Sequence, residues 1–233
     1  MNNKSFMIVR HGYDDHSYID GKNDTSLTKD GIEVAKKAAE KIINSLDSEN
    51  VIIRHSIKKR GCETAEIFSD YFTKNGFNCS CIKDNGLTEL YQGNLNFEGM
   101  EHQEKIDFLQ SCWDDFEECR MNGDLRHNFG ERKDRNIMRG LGENHLEWSL
   151  RIADGLLNII KDMENNNQSI NIAHRGVIYE IEQLVKLANG LIDYKDVETY
   201  KTRWMSYCQD YELEFDDLNK AKKLIKTYKD LRS

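Results

Sequence analysis

The chain has 233 residues, 38% of them hydrophobic and 32% charged, with a formal net charge of −8. This length favours one large domain with a full core over two small ones. No apolar stretch approaches the roughly 20 residues of a membrane-spanning helix, and the negative charge argues against a general nucleic-acid-binding protein, which usually shows a basic face.

The cysteines and the N-terminus indicate the compartment. Six cysteines occur with neither paired Cys-x-x-Cys zinc spacing nor the density of a disulfide scaffold, which favours reduced, structural thiols. Met1 is followed within a few residues by a predicted strand rather than by the apolar core of a signal peptide. We therefore expect a cytoplasmic protein.

The first predicted element is a buried strand that ends in a charged tripeptide. Phe6 to Val9 form a continuous apolar run with β-branched members, which is typical of a strand covered on both faces. Arg10, His11 and Gly12 follow it directly. Because ligands dock at the carboxyl ends of strands in open α/β sheets, this placement predicts a site for an anion.

The elements that follow alternate between helical and strand patterns. We predict a first helix that is capped by Thr28 and has an apolar face from Ile32 to Leu46, and a terminal helix with Leu224, Ile225, Tyr228 and Leu231 turned inward. Between them we predict helices at 63–72, ending near Asn75-Gly76, at 143–163 and from about 178 to 188. The predicted strands lie at 51–53, 79–87 (the weaker one), 169–173 and 207–215. Such alternation predicts an α/β fold with a mostly parallel sheet.

Residues 94–141 depart from this alternation. The segment contains charged helical pieces, among which we include the basic stretch 131–139. We predict one domain over residues 1–233, with a helical lid or substrate-specificity insertion at about 94–141.

Polar residues follow several predicted strands and should meet at one edge of the sheet. Arg10 and His11 follow the first strand, Arg60 follows the second, Glu89 follows the third, and His174 follows the strand at 169–173. Arginine offers a planar fork that matches phosphate oxygens, and helix N-terminal amides add further donors. The set predicts a site for a phosphoryl group.

At this point the chain resembles the histidine phosphatase superfamily, in its phosphoglycerate-mutase-like branch. The residues that carry the resemblance are Arg10-His11-Gly12, Asp24-x-x-Leu27-Thr28-x-x-Gly31, Ser56-x-x-x-Arg60 with Thr64-Ala65, Leu87-x-Glu89-x-x-x-Gly93, Gly142-Glu143 and Ala173-His174-Arg175-Gly176-Val177. Each motif is weak alone, but their order and spacing together are specific.

The resemblance implies a fold and a set of roles. The fold would be a three-layer α/β/α sandwich with a mostly parallel central sheet. His11 would be the nucleophile that becomes phosphorylated, Arg10 and Arg60 would bind the phosphoryl oxygens, His174 would stabilise the transferring group, and Glu89 would donate a proton to the leaving group.

The sequence also departs from the family pattern. The family usually continues Arg-His-Gly with Glu-Thr and then an asparagine that contacts the phosphate. This chain has Tyr13-Asp14, and Ser17 stands at the approximate asparagine position as the predicted phosphate contact. Arg175 occupies the position of the proton donor in the acid-phosphatase branch, so we assign the acid to Glu89 and only a phosphate-binding backbone amide to Arg175.

Together these patterns predict a metal-independent phosphatase of small phosphorylated metabolites, with no cofactor, no nucleic-acid partner and no membrane partner. Glycerate mutases of the family carry paired arginines for the substrate carboxylate, and residues 94–141 contain no adjacent pair. A phosphomutase and a non-catalytic phosphate-binding protein remain the alternatives, and a homodimer is left open. His11, Asp14, Asp15 and His16 also have the chemistry of a metal site, but the phosphate set explains His11 better.

Overall fold

The computed structural model describes residues 4–15, 24–165, 168–192 and 206–232. Its strands are β1 (Lys4–Arg10), β2 (Asn50–His55), β3 (Asn78–Lys83), β4 (Asn94–Leu95), β5 (Met138–Gly140), β6 (Gln168–Ala173) and β7 (Asp210–Phe215). Its helices are α1 (Lys29–Ile42), α2 (Lys59–Lys74), α3 (His102–Met121), α4 (His145–Glu164), α5 (Arg175–Ala188) and α6 (Leu218–Arg232), with short 3-10 helices at Ile43–Ser45 and Asn85–Leu87.

The described residues group into two compact units. The first, here called the sheet unit, consists of residues 4–15, 26–89, 151–165, 168–192 and 206–232, and the second of residues 24–25 and 90–150. In the second unit, β4 and β5 form a small antiparallel ladder, and α3 is the long helix. Within the described ranges, no helix combines the length and apolar character that crossing a bilayer requires.

The central sheet has the strand order β3-β2-β6-β1-β7. All neighbouring pairs are parallel except β1 and β7, which pair antiparallel at one edge. The register pairs Arg10 with Ala173 across β1 and β6, and His55 with Ile172 across β2 and β6. The strands β1, β2 and β6 therefore end side by side.

Helices cover both faces of this sheet, because its strands are apolar on both sides. On one face, Val9, Ile53 and Ile172 belong to a core cluster with Ala35 and Ala39 of α1 and with Phe68 and Phe72 of α2. On the other face, Phe6 stacks on Phe215 with ring centroids 5.6 Å apart, and α5 packs against β1, β7 and α6. The predicted three-layer α/β/α fold with a mostly parallel sheet is confirmed.

The sequence predicts a helix start correctly where a capping side chain is present. Thr28 caps α1 as predicted, since its hydroxyl accepts the Gly31 N–H at 3.0 Å. Helices α2 and α5 begin earlier than predicted, after Lys58 and His174, whose side chains make no capping hydrogen bond. Without a capping residue, the sequence carries no start signal at these positions.

Three details of the sequence prediction are wrong. Residues 131–139 form turns followed by β5 rather than a helix, because the Asp134 side chain accepts the Asn136 N–H and closes a turn. Ile32 is exposed in the first turn of α1, and Leu231 is 67% exposed in the last turn of α6. Periodicity identifies a helix face but not how far along the helix the core extends.

Candidate active site

Hydrogen bonds extend the sheet by one residue past the strand ends. The His11 N–H donates to the Ala173 carbonyl at 3.1 Å, and the Ser56 N–H donates to the Ile172 carbonyl at 3.0 Å. His174 follows β6 directly. This extension holds His11, Ser56 and His174 next to one another at the carboxyl edge.

His11 is buried, at 4% exposure, and its ring orientation is fixed. Its Nδ1 lies 2.7 Å from the Gly12 carbonyl oxygen, which can only accept a hydrogen bond, so Nδ1 carries the proton in the neutral ring. Its Nε2 accepts from Arg60 Nε at 3.2 Å. The lone pair of Nε2 therefore points at the guanidinium, on the side where a phosphoryl group would lie.

His174 has the opposite hydrogen-bonding arrangement. Arg60 Nη2 lies 3.3 Å from its Nδ1, and since arginine only donates, Nδ1 accepts. Its Nε2 then donates to Ser56 Oγ at 2.8 Å. Burial lowers the pKa of His174 well below 6.5, and the neighbouring His11 and Arg60 lower it further. The ring is therefore neutral at neutral pH.

Arg60 lies in the first turn of α2, between the two imidazoles. The ring centroids of His11 and His174 are 4.7 Å apart, and Asp14 Oδ2 is 3.9 Å from Arg60 Nε. Thr64 Oγ1 donates to the Arg60 carbonyl at 2.7 Å and accepts the Gly12 N–H at 3.1 Å. The N-terminus of α2 is thereby tied to the loop that carries His11 and Gly12.

Gly12 allows this loop to pass close to α1. A Cβ at this position would lie 2.7 Å from the backbone oxygen of Gly31, a contact that neither backbone could relieve without moving. Only glycine fits here without displacing α1 or the adjacent His11.

Arg10 is the second guanidinium of the site. Burial lowers its pKa and nearby Arg175 lowers it further, while Tyr207, Glu89 and Asp14 offset part of this shift. Its guanidinium carbon lies 3.7 Å from the centroid of the Tyr207 ring, in cation–π geometry. Glu89 and Arg175 are thus within electrostatic reach of Arg10.

The structure brings most of the predicted residues together. Arg60 contacts both His11 and His174, and Arg10 is close enough to lower the pKa of His174. Glu89 and Arg175 in turn shift the pKa of Arg10. Ser17 and His16 lie outside the described residues. The catalytic and phosphate-binding roles themselves stay predictions.

Sequence reasoning assigned no role to Ser56, Thr64 or Tyr207. Ser56 and Thr64 stand inside the motif that contains Arg60, so the motif spacing was an available signal for them. Tyr207 lies far along the chain from Arg10, and no pattern joins the two residues. Only the β1–β7 pairing brings them together.

Among the described residues, Asp115, Cys119 and His127 are the group whose donor atoms lie close enough together to hold a metal ion. His127 Nε2 is 3.0 Å from Asp115, and Arg132 is 3.2 Å from the other Asp115 oxygen. Burial raises the pKa of the Cys119 thiol, which opposes the thiolate that a metal needs. The group is explained as an ion-pair network. Within the described part of the chain, His11, Asp14 and Asp15 form no such cluster.

Comparison with known proteins gives one family and one fold. The family model for the histidine phosphatase superfamily (branch 1) matches residues 6–224. No curated protein matches the sequence. Among solved structures, a phosphoglycerate mutase from Bacillus anthracis is 16% identical with a TM-score of 0.61, and the match covers 95% of this chain and 96% of that one.

Two phosphatases have similar folds. A mycobacterial glucosyl-3-phosphoglycerate phosphatase, solved in complex with VO3, is 16% identical with a TM-score of 0.60 and 90% coverage of both chains. A putative alpha-ribazole-5'-P phosphatase from Escherichia coli K-12 is 19% identical with a TM-score of 0.52, covering 79% of this chain and 80% of that one. At these identities the similarity shows the fold.

Proposed function

Because the chain belongs to branch 1 of the histidine phosphatase superfamily, we propose that it is a metal-independent phosphatase of small phosphorylated metabolites, acting through a phosphohistidine on His11. The observation that carries this proposal is the placement of Arg60, which donates to His11 Nε2 at 3.2 Å and to His174 Nδ1 at 3.3 Å. Phosphoryl transfer depends mainly on positioning and fixed positive charge, and this arrangement supplies both.

The first step forms the phosphoenzyme. His11 Nε2 attacks phosphorus, the bond from phosphorus to the ester oxygen breaks, and Glu89 gives its proton to the departing oxygen. The imidazole becomes positively charged, and the Gly12 carbonyl 2.7 Å from Nδ1 stabilises the remaining N–H. Phosphoryl oxygens are better acceptors than imidazole nitrogens, so Arg60 would turn its donors from the rings to the phosphoryl group.

The second step returns the enzyme to its starting state. The Glu89 carboxylate takes a proton from water as the water oxygen attacks phosphorus, the N–P bond breaks, and inorganic phosphate leaves. His174 is neutral without an anion because of burial and neighbouring cations. A phosphoryl dianion would favour its protonation, so that Nδ1 could donate to a phosphoryl oxygen while Ser56 keeps its hydrogen bond to Nε2.

The test is phosphate release from p-nitrophenyl phosphate and from a panel of phosphorylated metabolites, before and after dialysis against chelator. We expect hydrolysis at an unchanged rate after dialysis, inhibition by vanadate, and an acid-labile phosphoryl group on the trapped enzyme. Activity that disappears with chelator and returns with a divalent ion would overturn the metal-independent reading.

The mutase alternative has its own assay. With 3-phosphoglycerate and a catalytic amount of the bisphosphate, we expect little 2-phosphoglycerate. Rapid interconversion without phosphate release would make the protein a mutase. Phosphate binding without any turnover would make it a non-catalytic member of the family.

Residues 94–141 are proposed as the lid that sets substrate preference. This is supported by the separate compactness of Leu90–Leu150 and by its own helix α3 and strands β4 and β5. We expect vanadate binding to slow amide hydrogen exchange in 94–141. Unchanged exchange would contradict a lid.

We also propose a cytoplasmic location, supported by six cysteines that are all free thiols. Cell fractionation tests the location, and sedimentation tests the homodimer that the sequence leaves open.

A further inference from the structure

Two tyrosines extend the phosphate site outward from Arg10. The Tyr207 ring lies against the Arg10 guanidinium at 3.7 Å, and the Tyr13 ring contacts the Tyr207 ring with centroids 4.2 Å apart and planes tilted by 44°. Tyr207 also meets the His11 ring edge-on, with centroids 5.6 Å apart. Arg10, Tyr207 and Tyr13 therefore form one continuous series of contacts that starts beside His11.

The backbone of Tyr13 is held firmly. Its carbonyl accepts the Thr28 N–H at 2.9 Å, so it is bound to the start of α1. A Cβ at Gly31 would lie 2.1 Å from the Tyr13 carbonyl oxygen, so this close approach requires glycine. The Tyr13 side chain is nevertheless 42% exposed. It is an anchored aromatic ring with one accessible side.

The backbone next to Tyr207 is also specialised. Cys208 has a φ of 50°, the only positive value among the non-glycine residues that the structure describes. In this conformation its N–H donates to the Arg10 carbonyl at 3.0 Å. The strained residue thus fixes the neighbouring Tyr207 to the segment that carries Arg10 and His11.

We propose that Tyr13 and Tyr207 form a leaving-group subsite that selects phosphate monoesters whose alcohol carries an aromatic ring close to the ester oxygen. The proposal rests on the proposed function, because Arg10 must hold the phosphoryl group for the ring to reach Tyr13. Tyr207 has Arg10 and Tyr13 against it, so the accessible side of Tyr13 is the surface that a leaving group meets. An aromatic ring gains more from such a surface than an alkyl chain of similar area does.

The experiment compares 1-naphthyl phosphate with phenyl phosphate, whose phenols have similar acidity, so that ring size rather than bond strength decides the ratio. We expect the wild type to favour the naphthyl ester in kcat/KM. Tyr13→Leu should reduce this preference about three- to tenfold, while Tyr13→Phe should keep it. Thermal midpoints of both variants check that they fold.

Two outcomes would overturn the subsite. One is an unchanged naphthyl preference in Tyr13→Leu. The other is an equal loss on both esters, which would mean that Tyr13 only supports Arg10 through Tyr207.

A binding measurement separates this proposal from the proposed function. In a His11→Asn background, calorimetry with 1-naphthyl phosphate and methyl phosphate reports the subsite without turnover. Tighter binding of the naphthyl ester that is lost in Tyr13→Leu supports the subsite, even if the wild type hydrolyses neither compound. Equal affinity for the two esters would overturn it.

Discussion

Two arginines of the sheet unit, the buried Arg54 and the half-buried Arg10, have opposite electrostatic environments. Arg54 of β2 is 9% exposed and donates to Asp162 at 2.5 and 2.9 Å and to Asp84 at 3.2 Å. Burial lowers the pKa of Arg54, but the hydrogen bonds and charges of these two aspartates outweigh it, so the pKa is raised. Arg10 shows the reverse, because burial outweighs its surroundings and its pKa is lowered.

The difference supports the proposed phosphate site. The Arg54 network balances its charge within the protein, so it is complete without a ligand. At the other region, burial and the nearby Arg175 lower the pKa of Arg10, and Tyr207, Glu89 and Asp14 offset this lowering only in part. A phosphoryl dianion would raise the pKa of Arg10, as the two aspartates do for Arg54. The predictions that follow test this contrast, starting with the largest effect.

His11, the proposed nucleophile, has a matched control in the same sheet. His11 and His55 are both buried, at 4% and 5% exposure, and each ring places Nδ1 near the next carbonyl, at 2.7 Å from Gly12 O and 3.0 Å from Ser56 O. His11→Asn should lower kcat for p-nitrophenyl phosphate by at least about a thousandfold, because the covalent step is lost. His55→Asn should stay within about tenfold of wild type. Similar losses in both variants would mean that burial, not chemistry, explains His11.

The two arginine environments should separate activity from stability. Arg60→Ala should lower kcat/KM by about 10²- to 10³-fold with little change in the free energy of unfolding, since Arg60 is paired less closely than Arg54, with Asp14 Oδ2 3.9 Å from its Nε. Arg54→Ala should cost about 3–5 kcal/mol of stability, because it leaves Asp162 and Asp84 buried without their cation. Urea unfolding and initial rates, measured on both variants, check that Arg60→Ala loses activity and Arg54→Ala loses stability. A destabilised Arg60→Ala protein would contradict the contrast.

How much of this contrast could be predicted from sequence depends on whether the partners lie within one motif. Arg10, His11, Arg60 and His174 each follow a strand, and parallel strands bring such ends together, so the site could be predicted. The partners of Arg54 are distant in sequence and belong to no motif, so nothing indicated the network. Ser56 occurs in the Arg60 motif, yet its hydrogen bond to His174 depends on the β2–β6 register.

Local chemistry also limits what periodicity can predict. The helical reading of 131–139 was wrong because one side-chain hydrogen bond of Asp134 closes a turn there. The Tyr13–Tyr207 contact depends on the antiparallel pairing of β7 with β1 at the sheet edge. In both cases the contacting groups lie close together in the structure, but no sequence pattern indicates the contact.

The proposed acid should give a smaller effect that depends on the substrate. Glu89→Gln keeps the shape and removes the proton, so hydrolysis should slow about 10- to 100-fold for alkyl phosphates and least for p-nitrophenyl phosphate, whose departure needs little protonation. Initial rates on the two substrate types check this. Equal losses would show that Glu89 acts only on the charge of Arg10, and Asp14 or Asp15 would become the candidate acid.

The smallest effect concerns the pH dependence of stability that His174 causes. The pKa of His174 is lowered in the folded protein, first by burial and then by His11 and Arg60, whereas in the unfolded chain it returns to about 6.5. Below that pH the unfolded chain binds a proton that the folded protein does not. The free energy of unfolding therefore decreases as the pH falls below 6.5.

The loss is at most about 1.4 kcal/mol per pH unit for one group. In urea unfolding between pH 7 and pH 5, the wild type should therefore lose more stability than His174→Gln, which cannot take up the proton but can still donate to Ser56. Inorganic phosphate should reduce the difference, because a bound anion favours the protonated ring. Parallel pH profiles for the two proteins would show that the groups around His174 tolerate a proton on its ring. That result would contradict the electrostatic contrast with the Arg54 network.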